Sequence, residues 1–219
     1  MKRLLVVLAV PVALVTVLTI FGVQSGCGLP IRIDLPNQTF AFSLNASDLV
    51  SAVEDELDVD LQGMDTIPAS ININQSFEIP LPPQKVDLSD NADLKKYIEA
   101  GAVQSVTVKF VEYTVEQNTL NFDLPAVDMY MDSHSANSIT ASSKIIAVTQ
   151  PIAAGFTGTD QVSFTTGGRQ TLSDFLLNLK FTFLGLVDVT VDTSKSRTIP
   201  KGLLNGKLTV GLYFTVEPL

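Results

Sequence analysis

The residues able to do chemistry are few and scattered. The chain of 219 residues has one cysteine, Cys27, one histidine, His134, and no tryptophan. A single thiol closes no disulfide within the chain and builds no cysteine-based zinc site. His134 stands in the polar run Asp132-Ser133-His134-Ser135. A nucleophilic triad draws its acid, base and nucleophile together from separate parts of a fold, and sequence neighbours seldom have that geometry. No G-x-S-x-G elbow is present. His134 is expected to be an exposed loop residue, no catalytic residue is assigned, and the chain is expected not to be an enzyme.

Carboxylates offer the remaining chemistry. Glu54, Asp55, Glu56, Asp58 and Asp60 form one acidic run, and Asp87, Asp90 and Asp93 form a second group. Neither has the glycine-containing spacing of a calcium loop. Acids around a helix start are explained by capping and the helix dipole, so Asp90 is expected to cap a helix and no metal or other cofactor is expected. Asp128, Asp188 and Asp192 lie in strand-like segments and could meet across a sheet as the acid pair a polysaccharide-cleaving enzyme needs. Outward-facing charges on strands are the commoner arrangement.

Composition narrows the partners. Hydrophobic residues make up 46% and charged residues 17% of the chain, which excludes a mainly disordered polymer. The net charge is −9, and without Lys2 and Arg3 it is −11. Such a surface repels phosphate backbones, so nucleic acid is not an expected partner. Electrostatic adhesion to anionic lipid is opposed for the same reason, which leaves covalent or hydrophobic attachment to a membrane.

An attachment of that kind is written at the start of the chain. Met1-Lys2-Arg3 is a short cationic stretch, and Leu4 to Val23 runs without a charge. Gln24-Ser25-Gly26-Cys27-Gly28 follows. This segment resembles a bacterial lipoprotein signal peptide, with small residues Ser25 and Gly26 before Cys27; Gln24 stands where an aliphatic residue is usual. The resemblance covers residues 1–28 only. It implies cleavage before Cys27, acylation of that residue, and, since Gly28 rather than Asp follows it, a lipid-anchored place at the bacterial outer membrane. An ordinary cleaved signal peptide or an uncleaved inner-membrane signal anchor are the alternatives; about 20 apolar helical residues can span a bilayer. Residues 1–26 are thus expected to be the signal peptide, 27–37 a lipidated tether, and 38–219 the folded domain.

The elements after the tether read as strands. Ile31, Ile33 and Leu35 alternate, as do Phe40, Phe42 and Leu44. Further runs lie at 70–79, 104–116, 120–132, 138–148, 160–165, 179–192 and 206–217. Period-two patterns rich in Val, Phe and Tyr mark half-buried strands. In 104–116 the apolar parity changes between Phe110 and Val111, which predicts a bulge. Gln117-Asn118-Thr119 reads as a hairpin turn, and Pro125 as the mark of an edge or bulged strand. Helices are expected at 46–57, capped by Asn45 or Ser47, at 91–100, and at 171–178, capped by Thr171 or Ser173. The fold class is all-β: an antiparallel β-sandwich, Ig-like or related, with two or three short helices. Pro80-Leu81-Pro82-Pro83 is a possible point of subdivision, though one domain is preferred because the first unit would have a thin core.

Two functions follow as expectations. The first is a lipid-anchored, non-catalytic module that binds another envelope protein or glycan. The second is carriage of a lipid or other hydrophobic ligand, suggested by apolar faces carrying Phe175, Phe181, Phe183 and Phe214. The plainer reading of those rings is core packing.

Overall fold

The computed structural model describes residues 29–61, 63–89 and 91–219. The export segment, Cys27 and the Asp90 cap lie outside the described residues. Ten strands follow in order: β1 (Ile31–Asp34), β2 (Gln38–Asn45), β3 (Asn74–Asp87), β4 (Val103–Asn118), β5 (Val127–Ser133), β6 (Lys144–Val148), β7 (Gly158–Gln161), β8 (Ser163–Phe164), β9 (Lys180–Asp192) and β10 (Leu203–Val216). Three helices interrupt them: α1 (Ala46–Leu57), α2 (Lys95–Glu99) and α3 (Gly168–Leu177).

The strands form two five-stranded sheets. In the first, β1 and β2 lie end to end along one side of β10, and β4 and β7 continue on the other. In the second the order is β3-β9-β5-β6-β8. All pairs are antiparallel, so the fold is a β-sandwich with a few short helices. The pairing is nested: β5 with β6, β4 with β7, β3 with β9, and β2 with β10. A long hairpin rolled up on itself gives that order, which is the jelly-roll variant of the sandwich.

The inner faces share one apolar core, with Phe181 and Val187 from β9 and Leu212, Phe214 and Val216 from β10 among its most buried members. The β10 alternation read from the sequence accounts for that face: Leu208, Val210, Leu212, Phe214 and Val216 are all buried. The Pro-rich stretch lies inside β3, where Pro80 and Leu81 pair with Leu186 and Gly185 of β9. The register then jumps from Leu81 to Gln84, and Pro82 and Pro83 occupy the bulge, where a missing amide donor costs no ladder bond.

Four local expectations are corrected. The β4 bulge sits at Lys109, one step earlier than the parity change suggested, because Gly211 pairs with Phe110 and Leu212 with Val108. Phe110 therefore does not share the buried face of Val106 and Val108. Gln117-Asn118-Thr119 is not a hairpin turn. β4 stays paired to β10 through Asn118, and the chain then crosses to the other sheet before β5 begins. Pro125 falls in that crossover, beside the isolated bridge between Leu124 and Ile152.

The segment 160–165 is two strands, because the chain changes sheet at Val162, whose amide bonds Val111 O. Helix ends also differ. Asn45 caps α1 by accepting from the Ser47 amide, while Ser47 does not act as the cap. Asn91 Oδ1 accepts from the amides of Asp93 and Leu94 ahead of the short α2. α3 begins at Gly168, so Thr171 and Ser173 lie within it, and the Ser173 hydroxyl donates to Arg169 O.

Candidate functional site: an apolar cleft between the sheets

The polar loop first. Asp132, at the end of β5, is 6% exposed and turns away from a catalytic arrangement. Its Oδ2 accepts from the hydroxyls of Ser143 (2.6 Å), Ser142 (3.1 Å) and Thr140 (3.4 Å), and Oδ1 from the Ser133 amide (2.6 Å). The hydroxyls of Ser133 and Ser135 bond each other. His134 is half-buried, not fully exposed as expected. The run holds the 134–143 loop closed, and this explains why strand β6 begins only at Lys144.

The Ser143 hydroxyl, then the Ser133 amide and the other two hydroxyls, hold the Asp132 carboxyl below its usual range, against the opposing effect of burial. A depressed folded-state pKa contributes stability above the unfolded value, near ~3.9, that is lost as pH falls through the folded value. Asp132→Asn is therefore expected to cost about 1–3 kcal/mol at neutral pH. The difference from wild type should shrink as urea unfolding is repeated at increasingly acidic pH. An undiminished gap in acid would show that the charge is not what stabilises the loop.

The other acids are structural too. Glu54 accepts from the Leu61 amide at 2.7 Å, and Asp58 closes α1 in the left-handed conformation. Asp87 accepts from Ser89 and pairs with Lys180 at 2.8 Å. Asp192 accepts from Ser194 and pairs with Lys195. Asp188 stands opposite Glu78 on β3, while Asp128 pairs with Leu186 and Val148. The register thus sets Asp128 and Asp188 diagonally on one outward face, while Asp192 lies at the end of β9, opposite Asn74. Among the described residues no cluster of three metal-ligating side chains exists.

The feature that stands out is an apolar cleft of about 70 Å³ between the sheets, open at one flank. Its first wall is β2 and β10: Phe40, Phe42, Leu44, Leu204 and Leu208, with Tyr113 of β4 behind them. Its second is Leu81, Pro82 and Gln84 of β3, Phe183, Leu184 and Gly185 of β9, and Val127 and Met129 of β5. Leu124, Thr149 and Ile152 close the far side. The mouth lies between β2 and β3, edge strands of the two sheets on the same flank. Phe40, Phe42, Leu81 and Gln84 are half-buried there and Pro82 is exposed, while the deeper residues are buried.

Few polar groups reach this space, and two are already engaged. Thr149 Oγ1 accepts from the Val127 amide at 2.9 Å. The Tyr113 hydroxyl takes the Gln150 amide, and burial, with the Asp160 carboxylate beside it, pushes its pKa up, so it stays a neutral phenol. At one inward position of β9 the wall is a glycine, covered by Leu81 of β3. Along β9, Phe181, Phe183, Val187, Val189 and Val191 are buried, and Gly185 shares their parity. A Cβ there would meet Leu81 Cδ1 at 2.8 Å.

Of the four rings singled out in sequence, Phe183 lines the cleft, Phe181 packs edge-on against it at 5.4 Å, Phe214 is fully buried core, and Phe175 is half-buried on α3. Phe40, Phe42, Leu81 and Gly185 were not singled out as site residues. The one available signal was Gly185, a glycine interrupting the apolar parity of β9.

The fold and cleft together define a jelly-roll β-sandwich with an apolar slot opening between two edge strands. No family model matches the chain, and no curated protein does. Three viral structures are similar at low values. The cryo-EM structure of Mud crab tombus-like virus matches at TM-score 0.32 and 9% identity, covering 99% of this chain and 93% of that one. Turnip yellow mosaic virus matches at 0.29 and 9%, covering 100% and 92%. Desmodium yellow mottle tymovirus matches at 0.24 and 10%, covering 100% and 98%. At these values the likeness carries no argument about what the chain does.

Proposed function

We propose that this chain is a non-catalytic protein of the bacterial cell envelope, lipid-anchored through Cys27, that holds the hydrocarbon part of a lipid or similar apolar ligand between its sheets. The observation that carries the ligand is the cleft: about 70 Å³, walled by aliphatic and aromatic side chains, with its mouth on one flank. Sites that enclose a whole small molecule run to roughly 300–1,000 Å³, so a space of this size takes only part of an alkyl chain, with the rest at the mouth. A wall with so few free donors and acceptors favours a ligand portion that needs none, since a polar group left unpaired there would cost free energy.

This reading ranks hydrophobic-ligand binding above capture of another envelope protein or glycan. A peptide adding to the free edge of β3 would meet Pro80, Pro82 and Pro83, which lack the amide donors that such pairing uses. The anchor rests on the sequence alone, on the apolar run ending at Cys27.

Native mass spectrometry of protein extracted from envelope tests the ligand. Adducts at lipid masses, displaced by added fatty acid, are expected. Protein that is ligand-free as isolated and after incubation with lipid would remove the reading. Metabolic labelling with palmitate tests the anchor separately: label is expected on wild type and absent from Cys27→Ala.

A further inference from the structure

An unpaired strand edge is a template for another strand, and proteins block such edges with proline, charge or shortness. Most edges of this sandwich are blocked in that way. β1 carries Arg32 and Asp34, and β3 carries Pro80, Pro82 and Pro83. β7 is four residues long and includes Asp160, and β8 has two residues. β2 is different. Its eight residues, Gln38 to Asn45, include no proline, glycine or charged side chain. Among the described residues it pairs with β10 alone.

The alternation of β2 makes it complementary to itself. Phe40, Phe42 and Leu44 face the cleft, while Thr39, Ala41 and Ser43 are exposed on the outer face. In an antiparallel pair about a two-fold axis through Ala41, each residue meets one of its own parity. Phe40 then stands opposite Phe42 of the second copy, Thr39 opposite its Ser43, and Ala41 opposite its own counterpart. Aromatic pairs and hydroxyl pairs in such positions stabilise a sheet. No like charges are opposed along this row. Elsewhere the net charge of −9 makes two copies repel.

We propose that the free edge of β2 is a homodimer interface, at which two copies pair antiparallel and join their first sheets into one. The prolines of β3, on the same flank, confine the pairing to that sheet. The mouth of the cleft opens on this flank, so the dimer sets two mouths side by side and covers the half-buried rings of Phe40 and Phe42. It requires no ligand and stands apart from the hydrophobic-ligand reading. A single strand pair buries less than the roughly 800 Å² per partner of a standard stable complex, so a reversible dimer is expected.

Sedimentation velocity of the full chain, over a dilution series with detergent micelles in excess over protein, tests the interface. Wild type is expected to pass from dimer to monomer on dilution. Ala41→Lys and Ala41→Glu each set a charge against its like at the axis, and each is expected to weaken association by roughly tenfold or more. Mixed together, the two variants are expected to regain wild-type association, because lysine then faces glutamate. Ser105→Lys adds the same charge to the same outer face on β4, away from this edge, and is expected to leave the dimer intact. Ala41 is exposed, so thermal melts of its variants are expected near wild type, which separates a lost contact from a lost fold. A wild-type chain that is monomeric at every concentration would overturn the proposal and leave the edge to a strand of another protein. Variants at Ala41 that associate as wild type does, an equal loss in Ser105→Lys, or folded variants that do not recover on mixing would overturn it as well.

Discussion

Gly185→Val is expected to reduce ligand carried through purification at least tenfold, with a melting temperature close to that of wild type. Position 185 faces inward with Phe183 and Val187 but has no side chain to fill its share of the interior. The first obstacle to a new Cβ is Leu81 Cδ1, at 2.8 Å, with Leu81 Cγ and Cβ at 3.1 and 3.2 Å. Leu81 is half-buried at the mouth on the edge strand β3, so its Cγ and Cδ1 can swing outward, and β3 need give only a few tenths of an ångström at the Leu81 Cβ. The two valine methyls then take the space a ligand would occupy.

Opposing effects on stability nearly cancel. Overpacking costs about 1–3 kcal/mol, while a β-branched residue in a strand restores packing and removes the entropic cost of glycine, worth roughly 0.5–1 kcal/mol. Native mass spectrometry of the adduct and a thermal melt read the two effects separately. A folded variant that still carries wild-type amounts of ligand would show that ligand sits elsewhere.

The same glycine shows which features the sequence disclosed. The strands of β9 and β10 could be read because their apolar residues recur at a period of two over 13 and 14 residues, a pattern that burial on one face imposes. α1 could be read to its ends because Asn45 precedes a helical apolar stripe. Partner choice could not. Whether β4 turns back as a hairpin or crosses to the second sheet depends on β10, nearly a hundred residues later, which holds β4 as far as Asn118.

The cleft was invisible for a related reason. A gap in packing is a property of what stands opposite, and nothing local to Gly185 names Leu81, Phe40 or Leu208 as its neighbours. Asp132 was noticed for the wrong chemistry. Its partners Thr140, Ser142 and Ser143 lie eight to eleven residues on, in a segment that alternates enough to resemble a strand.

Gly202→Ala is expected to be severely damaging, costing more than ~3 kcal/mol in urea unfolding. The residue has φ +99°, and an added Cβ would lie 2.1 Å from Thr119 O, 2.5 Å from Thr119 C and 2.8 Å from Leu120 N. These are backbone atoms that cannot step aside. The Thr119 amide donates to Leu203 O at 2.8 Å and its Oγ1 accepts from the Leu203 amide at 3.0 Å. Asn121 binds Lys201 through both backbone and side chain, and Ile199 O through Nδ2. Gly202 O also accepts from the Ala46 amide, the first residue of α1. A shift at this joint would therefore move the start of α1 and the Leu44–Leu204 end of the cleft together.

Gly63→Ala is the matched control. Its φ is +73°, also left-handed, but no atom lies within 4 Å of the added Cβ. It should lose only the conformational cost, roughly 1–2 kcal/mol. Equal losses in the two variants would show that φ alone is responsible. A larger loss at Gly202 isolates the contact with Thr119, and with it the joint that fixes one end of the slot.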